Sequence, residues 1–75
     1  GLLKYININS PIELGEAIKA RRKELGISQK DLASYCKIAK NVMTNIETAQ
    51  SDVRVSTLFK ISTFLGFKLS LELED

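Results

Sequence analysis

The segment "DLASYCKIAKNVMTNIE", residues 31–47, contains two short helical patterns with no glycine or proline between them. Each pattern places apolar residues at helical spacing along one narrow face. The residues of the two faces are Leu32, Ala33 and Cys36, followed by Ile38, Met43 and Ile46. Two helices of about two turns each therefore flank a turn near Lys37, and the second must lie across the first. This arrangement is a helix-turn-helix.

The second helix of this pair carries polar side chains near its start, away from its apolar face. These residues are Lys40, Asn41, Thr44 and Asn45. A helix in the DNA major groove needs one face that packs on its own domain and another that bonds to base edges. Asparagine can bind adenine, lysine can donate to guanine, and threonine can bond to a base or contact a thymine methyl group. A solvated polar surface is the alternative interpretation, but the spacing of small and apolar residues favours DNA reading.

The composition indicates one small folded domain and excludes several kinds of site. The chain has 75 residues, of which 44% are apolar and 27% are charged, as in a globular protein. It has no histidine and a single cysteine, Cys36, which excludes an internal disulfide, a zinc site and a histidine-based catalytic site. There is no glycine-rich phosphate loop, and Glu13, Glu16 and Glu24 fit helix-surface charges. We therefore expect no enzyme activity, no metal and no cofactor.

Charge and hydropathy along the chain bear on its location and partners. No apolar run approaches the roughly 20 residues that span a bilayer, and the start "GLLKYINI" lacks the features of a signal peptide. With the unpaired cysteine, these features predict a cytoplasmic protein, associated with the nucleoid when bound to DNA. Residues 1–71 contain all 11 Lys and Arg and six acidic residues, giving +5, whereas the tail "LELED" is acidic. A basic body favours a polyanion partner, although a solvated charged surface explains the count equally well.

Further helix signals flank the central pair. Ser10, Pro11 and Glu13 form a helix start with a capping box, and Ser28 is an N-cap for the next helix. The later pattern "VSTLFKISTFLG" predicts another helix that ends at Gly66. The four predicted helices span residues 11–25, 28–36, 39–48 and 55–65.

Two charged residues fall on apolar helix faces. Arg22 lies four residues after Ile18 on the apolar stripe of the first helix, and Glu47 follows Ile46 on the inner edge of the third. Because these helices must pack together and a buried charge needs a partner, we expect a structural ion pair between Arg22 and Glu47.

Residues 12–66 resemble the Cro/C1-type (XRE) helix-turn-helix regulators, whose relatives include phage repressors. The matching elements are "GISQKDLA", Ile38, Met43, Ile46 with Glu47, and "STLFKISTFLG". The resemblance implies a mainly α, four-helix, lambda-repressor-like DNA-binding domain over residues 1–75, and it points to the same Arg22–Glu47 pair.

The resemblance also implies roles in DNA binding. Gln29 would contact phosphate and steady the reading helix, and Val42 would touch a thymine methyl group beside the base-reading polar residues. The loop "ETAQSDVRVS" and Arg54 would meet the phosphate backbone. The predicted DNA-binding residues are Ser28, Gln29, Lys37, Lys40, Asn41, Val42, Thr44, Asn45 and Arg54.

Two positions depart from the family pattern. Lys37 occupies the turn position usually taken by glycine, where a left-handed backbone would cost about 1–2 kcal/mol. Ala39 replaces the usual serine or threonine N-cap of the reading helix, which forgoes about 1 kcal/mol. Both departures predict a less rigid reading helix.

The C-terminal sequence narrows the resemblance. "FKLSLELE" alternates apolar and polar residues, which predicts a C-terminal β-strand over residues 67–73. With "NSPIELGEAIK" and the spacing up to "LSLEL", the chain resembles the HipB-type antitoxins, DNA-binding dimers that repress their own operon and bind a HipA-type kinase toxin. A palindromic double-stranded operator and such a toxin are the implied partners. A stand-alone phage-type repressor, a restriction-modification controller, or a protein-interaction module that has lost DNA binding are the alternatives.

The predicted strand also suggests how two chains associate. A strand needs a partner for its backbone N–H and C=O groups, and "LLKYINI" in the same chain alternates poorly. We therefore expect a homodimer in which the strand pairs with its own copy. Two-fold symmetry would then place two reading helices roughly 34 Å apart, about one DNA turn. The predicted dimer-strand residues are Phe67, Leu69, Leu71 and Leu73.

Overall fold

The computed structural model describes residues 3–75, and this part of the chain contains four α-helices. They are α1 (Pro11–Glu24), α2 (Gln29–Cys36), α3 (Lys40–Glu47) and α4 (Val55–Leu65). The predicted four-helix fold is confirmed, and each observed helix end lies within one residue of the predicted end. Gly1 and Leu2 lie outside the described residues, and Leu2 is the first residue of the poorly alternating segment "LLKYINI".

Side-chain caps start the first two helices. Ser10 Oγ accepts a hydrogen bond from the Glu13 N–H at 3.1 Å, and Ser28 Oγ accepts one from the Asp31 N–H at 3.0 Å. The reciprocal bond of the α1 capping box is displaced by one residue, because Glu13 Oε1 accepts from the Asn9 N–H at 2.6 Å. These bonds satisfy backbone donors that the first helical turn leaves without partners.

The turn between α2 and α3 has the two unusual features expected from the sequence. Lys37 ends α2 with φ 59° and ψ 42°, which is the left-handed region. Ala39 precedes α3 without a side-chain capping bond. A second non-glycine residue in the left-handed region, Ala49 with φ 58°, follows α3. Packing therefore holds α3 in place more than local sequence preferences do.

The core draws residues from all four helices. α3 packs against α1 and α2, and α4 packs mainly against α2. Half-buried side chains from the loops and from the α4 end surround this core, among them Phe67. The fully buried apolar residues are Ile18, Leu32, Ala33, Cys36, Met43, Ile46, Ile61 and Leu65.

A glycine allows α1 to approach the end of α3 very closely. A Cβ placed on Gly15 would lie 2.5 Å from the Glu47 carbonyl oxygen and 2.7 Å from that of Ile46. Real Cβ atoms do not approach backbone oxygens this closely. The absence of a side chain at Gly15 therefore allows α1 to lie this near to α3.

The predicted C-terminal strand is absent from the structure. Residues 67–73, like the rest of residues 3–75, contain no strand, and Leu71 and Leu73 are 91% and 84% exposed. The physical reason is the missing ladder partner, since an extended segment alone has nothing to pair with. Phe67 is also misassigned as a strand residue, because it packs on the core of its own chain and its N–H donates to the Ser62 carbonyl oxygen at 3.0 Å.

None of the four helices within residues 3–75 is both long enough and apolar enough to cross a membrane.

Candidate nucleic-acid interface

Helix α3, which the sequence predicts to read DNA bases, has one buried face and one polar face. Met43 and Ile46 lie in the core, while Lys40, Asn41 and Asn45 are exposed. The exposed side chains offer the hydrogen-bond donors and acceptors that base edges recognise. Of the other residues assigned to this helix, Thr44 is half-buried and Val42 is 38% exposed.

The predicted ion pair between Arg22 and Glu47 is present beneath this helix. Arg22 Nε donates to Glu47 Oε2 at 2.7 Å and Nη2 donates to Oε1 at 3.0 Å, which makes the pair bidentate. Arg22 is 7% exposed and Glu47 is 4% exposed. Arg22 Nη1 also donates to the Ile27 carbonyl oxygen at 2.9 Å, so three of the guanidinium N–H groups have partners. The pair ties α1 to the C-terminal end of α3.

Gln29, at the start of α2, extends this pair to the polar face of α3. Its Nε2 donates to Glu47 Oε1 at 2.9 Å, and its Oε1 accepts from Thr44 Oγ1 at 3.0 Å. Thr44 Oγ1 also lies 3.2 Å from the Lys40 carbonyl oxygen. Four side chains from three helices thus form one hydrogen-bonded cluster, Arg22–Glu47–Gln29–Thr44.

The link from Gln29 to Glu47 is the feature that the sequence interpretation missed. The resemblance gives Gln29 a role in steadying the reading helix, and it gives Glu47 a role in the ion pair, but it does not join them. A signal was available in the spacing, because Thr44 and Glu47 are three residues apart and share one side of α3. Which side of α3 faces the start of α2 depends on how the helices cross.

The remaining predicted DNA-binding residues lie at the ends of neighbouring helices. Ser28 and Lys37 are exposed at the two ends of α2, and Arg54 is exposed immediately before α4. Arg54 shares a shallow groove with residues of α3. The lining side chains of this groove include Ile38, Val42, Asn45, Asp52, Arg54 and Thr57.

Residues 3–75 show no cluster of side chains suited to a metal ion. The one cysteine, Cys36, is buried in the core. Burial raises the pKa of its thiol, and the charge of Lys60 opposes this shift only in part. The thiol is therefore a packing group in its protonated form, not an activated nucleophile.

Comparison with known proteins agrees with this geometry. The family model described as helix-turn-helix matches residues 18–71, which include α2, α3 and α4 completely. The chain belongs to the XRE-type helix-turn-helix family. The match covers the whole α2–turn–α3 unit and the cluster around Glu47.

A curated relative places the chain more narrowly within this family. Over 70 residues it is 29% identical to the antitoxin HipB of Escherichia coli (strain K12), covering 93% of this chain and 80% of the relative. The chain is therefore similar to a HipB-type antitoxin, as its sequence pattern predicts.

Solved structures of HipB complexes share the fold. A substituted HipB in complex with an O2 20mer has a TM-score of 0.81 and 28% identity, covering 96% of this chain and 100% of that one. The HipA–HipB–O2–O3 complex contains a chain with a TM-score of 0.80 and 28% identity, covering 95% of this chain and 100% of that one.

Proposed function

We propose that this protein is a sequence-specific DNA-binding transcriptional repressor and the antitoxin of a toxin–antitoxin operon. In this proposal it binds a palindromic operator as a homodimer and sequesters a HipA-type kinase toxin, without enzymatic activity of its own. Its place of action is the cytoplasm, on the nucleoid when operator-bound. The observation that carries the proposal is the exposed polar face of α3. Hydrogen bonds from Arg22 and Gln29 to Glu47 hold this helix against α1 and α2.

The assignment of roles follows the position of each side chain. Asn41 and Asn45 are exposed on α3, and an asparagine amide can bond to adenine N6 and N7 together. Lys40 can donate to guanine from the first turn. Arg54, before α4, lies beside the α3 groove where a phosphate backbone would pass. Ser28, Gln29 and Lys37 flank α3 from the two ends of α2 and complete the proposed backbone contacts.

Similarity to the HipB complexes supports the partners. Relatives of 28% identity that cover the whole fold include HipB with an O2 20mer and HipB with HipA. The basic body of this chain also suits a polyanion, since residues 1–71 carry +5. The acidic residues Glu72, Glu74 and Asp75 are confined to the exposed tail, which in this proposal lies away from the DNA.

The extended tail supports the homodimer. Leu69, Leu71 and Leu73 are exposed in the single chain, and apolar side chains on an unpaired extended backbone are suited to pairing with a second copy. In the proposed dimer these leucines cover each other across the two-fold axis, while Phe67 stays in its own core.

The DNA-binding test uses the promoter region upstream of the gene as a labelled duplex, with a shuffled duplex of equal length. The wild-type chain should prefer the promoter duplex, and binding should weaken steeply with salt because phosphate contacts release counterions. Replacing Asn41 or Asn45 by alanine should cost about 1–3 kcal/mol on the promoter duplex alone. Arg54→Ala should weaken both duplexes and reduce the salt dependence.

Asn7→Ala is the matched control, because Asn7 is exposed on the N-terminal segment and outside the proposed interface. Equal losses on both duplexes for Asn41→Ala and Asn45→Ala would remove these residues from base reading. Absence of any preference in the wild-type chain would favour an interaction module without DNA binding.

The toxin test is co-expression with the product of the adjacent gene, followed by affinity capture of a tagged antitoxin. A stable complex with a kinase-like protein is the expected result, and its presence should tighten operator binding because one toxin–antitoxin assembly holds several DNA-binding units. If the tagged protein binds the operator but does not capture the product of the adjacent gene, a stand-alone repressor without a toxin partner is the better interpretation.

A further inference from the structure

The hydrogen bonds beneath α3 have a fixed direction, which begins at Arg22. A guanidinium group has N–H donors and no acceptor, so Arg22 must donate to Glu47 at 2.7 and 3.0 Å. The Glu47 carboxylate accepts only, so the Gln29 atom 2.9 Å from Oε1 must be the Nε2 donor. Reversing the Gln29 amide would place its oxygen against a carboxylate oxygen. The Gln29 Oε1 atom therefore faces Thr44.

The direction continues to the Thr44 hydroxyl. Gln29 Oε1 can only accept, so Thr44 Oγ1 donates its proton across the 3.0 Å contact. The second neighbour of Oγ1, the Lys40 carbonyl oxygen at 3.2 Å, is also an acceptor. A hydroxyl has one proton, and both of its protein neighbours require that proton. Whichever contact it makes, the proton stays inside the protein.

We propose that Thr44 presents only hydrogen-bond acceptor lone pairs and a methyl group to DNA, and that it therefore recognises an exocyclic amino group, adenine N6 or cytosine N4. This inference rests on the proposed DNA-binding function and specifies one of its contacts. Those two amino groups are the hydrogen-bond donors of the major groove. Guanine offers N7 and O6, which are acceptors, so Thr44 cannot bond to either without withdrawing its proton from the cluster.

In this way the buried Arg22–Glu47 pair influences which bases Thr44 can recognise. Arg22 and Glu47 do not reach the surface, yet they determine which atom of Gln29 faces Thr44. Gln29 is a positioning residue for Thr44 in this scheme, because it orients the Thr44 hydroxyl, while the second N–H of its Nε2 is left for the proposed phosphate contact. Thr44 itself is half-buried, which leaves part of its side chain available to the groove.

The test combines protein variants with base analogues that remove one group at a time. The full chain first selects its preferred duplex from a randomised pool. In that duplex, adenine is replaced by purine and cytosine by 2-pyrimidinone, which removes the amino group. Separate duplexes carry 7-deaza purines, which remove N7, or 2-aminopurine for guanine, which removes O6. Each position of both strands is changed singly, and the Kd of each duplex is measured for wild type, Thr44→Val and Thr44→Ser.

One amino-group deletion per half-site should weaken wild-type binding by about three- to ten-fold, the effect of one hydrogen bond. The same deletion should have no further effect in Thr44→Val, which lacks the hydroxyl, and should keep its effect in Thr44→Ser. Thr63→Val is the matched control, because Thr63 Oγ1 makes a similar bond within α4, 3.0 Å from the Phe59 carbonyl oxygen. Circular dichroism verifies that each variant is folded.

The outcomes separate the inference from the function on which it rests. If Thr44→Val cancels the effect of an N7 or O6 deletion, or of no deletion, the inference is overturned while DNA binding stands. If the wild-type chain enriches no sequence from the pool, the proposed function fails as well.

Discussion

Arg22 and Glu47 are the charged residues that this small core encloses, and they are tolerated there because each satisfies the other. Moving a charge out of water is costly, and the cost is offset only when geometry is good and the remaining N–H groups have partners. Here the pair is bidentate. In addition, the Ile27 carbonyl oxygen accepts from Arg22 Nη1, and Gln29 Nε2 donates to Glu47 Oε1. The pair is therefore stable as a unit, and loss of one member would leave the other buried without its partner.

Glu47→Ala should lower the free energy of unfolding by about 3–5 kcal/mol, because it leaves the Arg22 guanidinium buried without its carboxylate. Chemical denaturation followed by circular dichroism measures this loss. The matched control is Glu24→Ala, which removes a carboxylate 63% exposed at the side chain and 2.6 Å from Arg21. That exposed pair should be worth less than about 1 kcal/mol. Equal losses in the two variants would contradict a buried, mutually dependent pair.

Cys36 predicts a pH dependence at the alkaline end. Burial raises the pKa of its thiol, so folding disfavours the thiolate. The stabilising contribution is fully present below the unfolded thiol pKa of about 8.5 and is lost as pH rises through the folded pKa. The stability difference between wild type and Cys36→Ala should thus be constant below about pH 8 and shift against wild type above it. A difference that stays constant up to strongly alkaline pH would count against this assignment.

At the scale of the element, α3 is short and weakly specified by its own residues. It has eight residues, no side-chain N-cap, and a left-handed lysine three residues before its start. An isolated helix of this length is unstable in water. Its position depends on Met43 and Ile46 in the core and on Glu47 at its end. Stabilising the turn before it should therefore raise stability without changing any core contact.

Lys37→Gly should raise the free energy of unfolding by about 0.5–1 kcal/mol, because glycine adopts the left-handed backbone without steric cost while the unfolded chain gains some freedom. The matched control is Lys19→Gly, the same replacement at an exposed position in the middle of α1, which should destabilise by about 1 kcal/mol. Denaturation midpoints compare the two. A loss of stability in both variants would mean that the Lys37 side chain contributes more than its backbone strain costs.

At the scale of the whole molecule, a four-helix body carries segments without regular secondary structure at both ends of its described range. Apolar residues are exposed on the tail and also on α4, where Phe59 is 55% exposed. These are two candidate surfaces for a second copy. The tail is favoured because the backbone of residues 68–73 also has no hydrogen-bond partner within the described part of the chain.

Leu71→Asp should convert the dimer to a monomer, since a charged side chain would be buried against its symmetry mate. Phe59→Asp, the matched change on α4, should leave the dimer intact. Sedimentation velocity over a range of concentrations distinguishes the species. If the Leu71→Asp variant remains a dimer and the Phe59→Asp variant dissociates, the dimer interface lies on α4 and not on the tail.

The helices and the ion pair were predictable because their signals are local or constrained by composition. Serine caps mark two helix starts, and two charges on apolar stripes have no other buried partner available. The bond from Gln29 to Glu47 and the close approach at Gly15 depend on how helices cross, which spacing along the chain does not encode. The tail alternates apolar and polar residues as a strand does, but alternation shows only which side chains share a face. Backbone hydrogen bonds between strands also require a second strand, which the sequence of one chain does not reveal.

Gly15 limits how this domain can change over generations. Every other amino acid carries a Cβ, so every mutation that replaces Gly15 introduces an atom 2.5 Å from the Glu47 carbonyl oxygen. No replacement of Gly15 can therefore be accommodated unless α1 and the end of α3 move apart. Asn41 and Asn45 are exposed and meet no such barrier. Substitutions on the exposed face of α3 can therefore change the DNA sequence that the proposed interface prefers, while the packing of α3 against α1 stays the same.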